Sequence, residues 1–110
     1  MRTISGARPK STALAVEVRI PAEGRAFAAL ANQLSLEAVF VSTFHNVREG
    51  ASVIVELTLP NGTARAEGTV ARVCDPKTGA AGFSVAFNRI ARQDHERIAE
   101  AVGSRNAMTA

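Results

Sequence analysis

The residue types that most often carry catalysis are few in this sequence and lie far apart. The histidines are His45 and His95, and the single cysteine is Cys74. None of them has a second histidine or cysteine at metal-ligand spacing, the acidic residues are scattered singly, and no glycine run matches a phosphate-binding loop. The sequence therefore predicts no catalytic constellation, no metal site and no enzyme. We interpret His45 as a solvated loop residue, His95 as part of an amphipathic helix and Cys74 as a small buried hydrophobe.

The excess positive charge is confined to the start of the chain. Thirteen basic and ten acidic residues give a formal net charge of +3, and Arg2, Arg8 and Lys10 account for all of it. A DNA-binding domain usually carries its positive charge on the folded surface, so a neutral body argues against one. Five Phe and no Trp or Tyr also leave few platforms for stacking nucleobases. We therefore expect no DNA or RNA partner.

The length of 110 residues allows one compact domain. We divide it into a flexible basic arm (1–12), a folded domain (13–103) and a disordered tail (104–110). One cysteine excludes an internal disulfide, and no apolar run approaches the roughly 20 residues that span a bilayer. The N-terminus has charge but no apolar core of a signal peptide, so we expect a cytoplasmic protein without a membrane span.

Alternation of apolar and polar residues with a period of two dominates the folded part and predicts strands. The clearest alternating segments are 14–20, 52–59 and 82–88, with further strands at 32–43 and 63–74. Asn61-Gly62 lies between two of these strands and is a strong hairpin signal, and Gly68 suggests a bulge. Two helices are predicted, a short one over 21–30 that begins with Pro21 and a C-terminal one over 91–102.

Short strands separated by turns about ten residues apart, followed by one helix, are typical of a small barrel. The predicted fold class is all-β, with a six-stranded antiparallel barrel and a C-terminal α-helix that covers one opening. The residues expected in the core are Leu14, Val16, Val18, Val39, Val41, Val53, Val55, Leu57, Val70, Phe83, Val85, Phe87 and Ile98.

The order and spacing of several segments resemble the PilZ domain, a small bacterial barrel best known as a receptor for cyclic di-GMP. The segments that carry the resemblance are LAVEVRI at 14–20, NQLSLEAVFV at 32–41, VREG at 47–50, LTLPNG at 57–62, GTVARV at 68–73 and GFSVAF at 82–87. The resemblance covers nearly the whole folded part of the chain. It implies the same six-stranded barrel and a role in bacterial signalling.

Two motifs hold the dinucleotide in that family, and this chain departs from both. In the Arg-x-x-x-Arg motif before the first strand, Arg8 matches and Thr12 replaces the second arginine. In the Asp/Asn-x-Ser-x-x-Gly motif, Gln33 replaces Asp/Asn, Ser35 matches and Ala38 replaces Gly. Losing one arginine that stacks on guanine and pairs with phosphate costs about 1.5–3 kcal/mol, or roughly ten- to a hundredfold in affinity. We therefore expect weak or absent binding of cyclic di-GMP and no other cofactor.

The resemblance leaves two main hypotheses. In the first, the domain is an adaptor that acts through a protein partner, as family members with incomplete motifs do in motility, pilus or signalling assemblies. In the second, it is a working cyclic di-GMP receptor with an altered arm. Phe44 is the candidate interaction residue, because it lies among polar residues beyond the strand pattern. The alternative for Phe44 is that it folds back and plugs the open end of the barrel.

Overall fold

A computed structural model describes residues 13–74, 77 and 81–109 of the chain. These residues form six strands, one short 3₁₀ turn (Pro21–Glu23) and one α-helix. The strands and helix are β1 (Leu14–Ile20), β2 (Arg25–Asn32), β3 (Ala38–Ser42), β4 (Ser52–Leu59), β5 (Gly62–Cys74), β6 (Gly82–Arg89) and α1 (Arg92–Thr109).

The strands close into a barrel in the order β1-β2-β3-β6-β5-β4. Every pair of neighbouring strands is antiparallel. The predicted all-β fold class, with its six-stranded antiparallel barrel and C-terminal helix, is confirmed.

The interior is filled mainly by valines, because the alternating apolar residues of every strand point inward. The predicted core residues that are buried are Val16, Val18, Val39, Val41, Val53, Val55, Leu57, Val70, Phe83, Val85 and Ile98. Leu14 and Phe87 are half-buried at the margin of this core. The structure adds Ile20, Leu59 and three alanines, Ala31, Ala64 and Ala66, to the core.

The prediction of a helix over 21–30 is wrong. The segment forms a single 3₁₀ turn that ends at Gly24, whose φ of 64° is left-handed and whose N–H donates to the carbonyl oxygen of Pro21. The following residues were predicted as helix because Pro21 could begin one and Phe27 and Leu30 lie three apart. They form β2 instead and pair with β1 along its whole length. Alanine has the highest intrinsic helix propensity, but pairing within the sheet overrides this preference here.

Two other boundaries also differ from the prediction. The strand predicted over 32–43 is the end of β2 and all of β3, separated by a turn over 33–37. Helix α1 continues to Thr109, seven residues past its predicted end at 102. Gly103 lies within α1, and a single glycine costs a helix only about 1 kcal/mol.

Helix α1 covers the end of the barrel at the β4–β5 turn. Ile98 and Ala101 of this helix are buried, whereas His95 is exposed. The Asn61 side-chain amide donates to the Arg97 carbonyl oxygen at 3.3 Å and to a Glu100 carboxylate oxygen at 2.6 Å. These bonds fix the helix to the Asn61-Gly62 hairpin that the sequence predicted.

The opposite end is covered by residues 43–51, which connect β3 to β4 and are called the crossover loop below. Val47 of this loop is only 8% exposed and belongs to the core. The Gly50 N–H donates to the Val70 carbonyl oxygen at 2.8 Å, and the Val70 N–H donates to the Ala51 carbonyl oxygen at 2.9 Å. Phe44 is 83% exposed. The plug at this end is therefore Val47, and the alternative in which Phe44 folds back is wrong.

Gly82 is the position where the barrel has least tolerance for a side chain. Its φ is 148°, and an added Cβ would overlap the Val41 carbonyl oxygen and lie 2.9 Å from Phe40 Cζ. We expect Gly82→Ala to lower the free energy of unfolding by about 2 kcal/mol or more, through overlap and backbone strain. Urea unfolding measures the change.

Gly103→Ala is the matched control, because nothing lies within 4 Å of its added Cβ and the residue is helical. It should raise the free energy of unfolding by up to about 1 kcal/mol. A Gly82→Ala protein as stable as the wild type would contradict the close packing of Gly82 against Val41 and Phe40.

Candidate functional site

The outer face of β2, β3, β6 and β5 carries a groove of about 440 Å³, called the polar groove below. Its lining residues are Asn32, Gln33, Phe40, Ser42, Arg72, Cys74 and Ser84. The lining combines amides, hydroxyls, one aromatic ring and one guanidinium group, and it contains no acid. Such a surface offers hydrogen bonds and positive charge to a polar or anionic ligand.

The strand register sets four of these residues in one row across the sheet. Asn32 lies opposite Phe40, Phe40 opposite Ser84, and Ser84 opposite Arg72. Neighbouring strands are about 4.8 Å apart, so the row spans about 14 Å from the amide to the guanidinium. That length suits a ligand with several polar groups.

Arg72 belongs to this row because β5 has a bulge. Val70 pairs with Val85 on the inner face, and in a regular ladder the next residue, Ala71, would lie opposite Ser84. The register shift between Val70 and Arg72 adds one residue to β5, so that Arg72 lies there instead. Bulges commonly redirect a side chain in this way.

Phe40 forms the apolar part of the polar groove. The next row places Ser42 opposite Gly82 and Gly82 opposite Cys74. Because Gly82 has no side chain, the Phe40 ring lies over the backbone of β6. The half-buried ring leaves part of its surface available for stacking.

The guanidinium of Arg72 is exposed and forms no ion pair with any described residue. The ion pairs Arg19–Glu17 and Arg25–Glu23 lie on β1 and at the start of β2. Arg72 therefore keeps all its donors for a ligand, and guanidinium groups pair with phosphate and stack on planar rings.

The three described residues of the family motifs have different surroundings. Gln33 lines the polar groove, and among the described residues it alone has a positive φ without being glycine, at 54°. The Ser35 hydroxyl accepts hydrogen bonds from the N–H groups of Glu37, at 3.2 Å, and Ala38, at 3.1 Å. Ala38 pairs with Ala86 in the barrel and has no positive φ.

The Ser35 hydroxyl is therefore occupied by its own turn, and neither Ser35 nor Ala38 lines the polar groove. Arg8 and Thr12 lie outside the described residues. Sequence reasoning missed Asn32, Phe40 and Arg72. The alternation of apolar and polar residues places Asn32 and Phe40 on the outer face of their strands. Nothing in the sequence predicts the bulge that redirects Arg72.

Neither histidine lines the polar groove. His45 stacks on Phe27, with ring centroids 4.2 Å apart, and His95 lies on α1. Among the described residues, no three of the types His, Cys, Asp and Glu are close enough to hold a metal ion.

Within the same part of the chain, no helix has the length and apolar character needed to cross a membrane.

A search of the solved structures finds a similar fold in the Bacillus subtilis inhibitor of motility, MotI/DgrA. The TM-score is 0.70 at 17% sequence identity, and the match covers 92% of this chain and 52% of that chain. This chain thus spans about half the length of that protein, and at this identity the likeness concerns the fold. A comparison with curated proteins found no match.

A family model described as PilZ domain matches residues 5–104, nearly the whole sequence. PilZ domains are binding and adaptor domains rather than enzymes. The barrel topology and this match agree with the resemblance noted from the sequence. The chain belongs to the PilZ domain family.

Proposed function

We propose that this PilZ domain is a cytoplasmic adaptor that acts through a protein partner. The observation that carries the proposal is Phe44, whose side chain is 83% exposed. Exposed aromatic residues are common anchors of protein interfaces, because they bury much apolar area on binding.

The crossover loop holds Phe44 in a fixed place. On its C-terminal side, the His45 ring stacks on Phe27, Val47 is buried, and the Arg25 guanidinium donates to the Asn46 carbonyl oxygen at 2.9 Å. On its N-terminal side, the Thr43 N–H donates to the Ala81 carbonyl oxygen at 3.3 Å. A partner therefore meets a preorganised aromatic residue, which reduces the entropy lost on binding.

The class of partner follows from the family. PilZ members with incomplete ligand motifs work in motility and signalling assemblies, and the solved structure with a similar fold is that of an inhibitor of motility. We place the partner of this domain in such an assembly. The neutral folded body supports a protein partner rather than DNA or RNA.

Weak binding of cyclic di-GMP is the second part of the proposal. Thr12 supplies no guanidinium, and the Ser35 hydroxyl is engaged by its own turn. The alternative function, a receptor with an altered arm, is favoured by one observation. Arg72 supplies a free guanidinium to the polar groove, where Phe40 offers a ring for stacking. We expect this arginine to support residual affinity without replacing the missing arm residue.

The first test restores the family motif. Isothermal calorimetry should give weak or no binding of cyclic di-GMP to the wild type. The double variant Thr12→Arg with Ala38→Gly should bind about tenfold more tightly or better, because a charge-assisted bond to phosphate contributes about 1.5–3 kcal/mol. Stoichiometric, submicromolar binding by the wild-type protein would contradict the proposal of weak binding.

The second test locates the binding surface. In the restored variant, Arg72→Ala should weaken cyclic di-GMP binding by about tenfold or more, since one charged hydrogen-bonding partner is lost. Arg65→Ala is the matched control, because Arg65 is also exposed on β5 but does not line the polar groove. Equal losses in the two variants would mean that Arg72 acts through general charge alone.

The third test concerns Phe44. We expect Phe44→Ala to leave the melting temperature nearly unchanged, because the side chain buries little area, and to abolish partner capture in a pull-down from the native host. Phe83→Ala is the contrasting variant, since the ring of Phe83 is 1% exposed and its loss should cost about 3–5 kcal/mol. Unchanged capture by Phe44→Ala, or a large fall in its melting temperature, would remove Phe44 from the interface.

A further inference from the structure

An asparagine followed by a glycine occurs once in the sequence, at Asn61 and Gly62. Asparagine is among the residue types that are chemically least durable in proteins. A following glycine makes it more reactive, because no side chain hinders attack by the next backbone nitrogen. Both residues are exposed, so water reaches the pair. Asn46 is also exposed, but it is followed by Val47, whose branched side chain hinders the same attack.

The reaction open to this pair is deamidation through a succinimide. The Gly62 backbone nitrogen loses its proton to a base in the solvent and attacks the side-chain carbonyl carbon of Asn61. A bond forms between these two atoms, the bond from that carbon to Nδ2 breaks, and ammonia leaves with a proton taken from water. Water then opens the ring at either of its carbonyl groups. The products are aspartate and isoaspartate at position 61.

Both residues of the pair are needed to attach α1 to the barrel. The Asn61 amide donates to the Arg97 carbonyl oxygen at 3.3 Å and to a Glu100 carboxylate oxygen at 2.6 Å. Gly62 has a φ of 130°, and a Cβ added to it would lie 3.2 Å from Arg97 Nε. A larger residue there would be strained and would press on the helix. The labile pair is therefore part of the joint between helix and hairpin.

The same contacts hinder the reaction while α1 is in place. Attack requires the Asn61 side chain to turn back onto its own backbone, and this movement breaks its bonds to Arg97 and Glu100. The Arg97 side chain also lies beside Gly62 and donates from Nη1 to the Thr63 carbonyl oxygen at 3.1 Å. Ring closure therefore needs this end of the helix joint to open first.

Conversion of Asn61 removes the joint's donor and adds a charge. Aspartate has no N–H to donate, so its carboxylate would face the Glu100 carboxylate and the Arg97 carbonyl oxygen at hydrogen-bonding distance. Like charges so close repel each other. Isoaspartate carries the same charge and also adds a methylene group to the backbone, which displaces the side chain. Either product opposes the return of α1 to its place.

We propose that Asn61 is a deamidation site controlled by α1, and that its conversion loosens α1 from the barrel. The change is irreversible, because ammonia is lost to the solvent. Loosening uncovers Ile98, which is fully buried, and Ala101, which is 8% exposed. The site lies at the end of the barrel opposite Phe44, so the inference does not rest on the proposed partner or ligand.

Peptide mass spectrometry of the full chain, incubated in neutral and in mildly alkaline buffer, measures the reaction. We expect aspartate and isoaspartate to appear at Asn61 well before any conversion at Asn46, and faster in the alkaline buffer. Glu100→Ala should raise the rate at Asn61 by about tenfold, because loss of a hydrogen bond to a charged group shifts the opening of the joint by about that factor. Glu96→Ala is the matched control, since Glu96 is an exposed glutamate of α1 that does not bond to Asn61.

Amide exchange of α1 measures the consequence. Asn61→Asp should make the backbone N–H groups of α1 exchange about tenfold faster or more, because a donor is lost and a like charge is added. Aspartate is as acceptable as asparagine in a turn, so the hairpin itself should remain. Asn46→Asp adds the same charge away from α1 and should leave its exchange unchanged.

A compensating variant separates the joint from a general loss of stability. In Asn61→Asp with Glu100→Gln, the new glutamine amide can donate to the aspartate carboxylate, and slow exchange of α1 should return.

Three results would overturn the proposal. The first is conversion at Asn61 no faster than at Asn46. The second is an equal rate at Asn61 in the wild type, in Glu100→Ala and in concentrated urea, which would mean that α1 has no control over the reaction. The third is wild-type exchange of α1 in Asn61→Asp.

Discussion

Strand β5 must pair with β4 along one edge and with β6 along the other while the sheet turns through a full circle. Thirteen residues long, it bends at two register shifts, one at Glu67/Gly68 and one at Val70/Arg72. Gly68 makes the first possible, because a Cβ there would lie 2.5 Å from the Ala86 carbonyl oxygen and 2.6 Å from Val85 Cγ1. Closure of a small barrel requires this bending, since a regular, flat ladder does not close.

The bends that close the barrel also shape the polar groove on its outer face. The second bulge of β5 places Arg72 on the outer face, in one row with Ser84 and Phe40. The seam between β2 and β3, where the circle is completed, is only three pairs long. Valine and alanine side chains fill the interior, so binding must occur on the outer face or at the rims. Function in this domain thus depends on strand register more than on any internal cavity.

Much of the fold could be predicted because alternation of apolar residues reports directly on a half-buried sheet. It identified the core residues of β1, β4 and β6, and Gly68 correctly indicated a bulge. The error over residues 21–30 has a physical cause. Alanine is compatible with helix and strand, and the choice is made by pairing with β1, which the local sequence does not encode.

The candidate site was less predictable for a related reason. The family motif singled out Gln33, which lines the polar groove. Arg72 could not be found, because its place depends on an inserted residue that leaves the alternation of β5 ambiguous. Phe44 was recognised as an exception to the pattern, but whether it would be the plug depended on Val47, three residues further along the loop.

The polar groove and the crossover loop are adjacent, and this adjacency limits how a ligand could influence a partner. Ser42 lines the polar groove, and Phe44 follows two residues later. Allosteric control would need an element with two arrangements that the ligand distinguishes. The described contacts hold the loop in one arrangement, through Val47 in the core, Arg25 on Asn46, and the stack of His45 on Phe27. A ligand above Ser42 would therefore act on a partner at Phe44 by direct contact, as part of one joint surface, rather than by moving the loop.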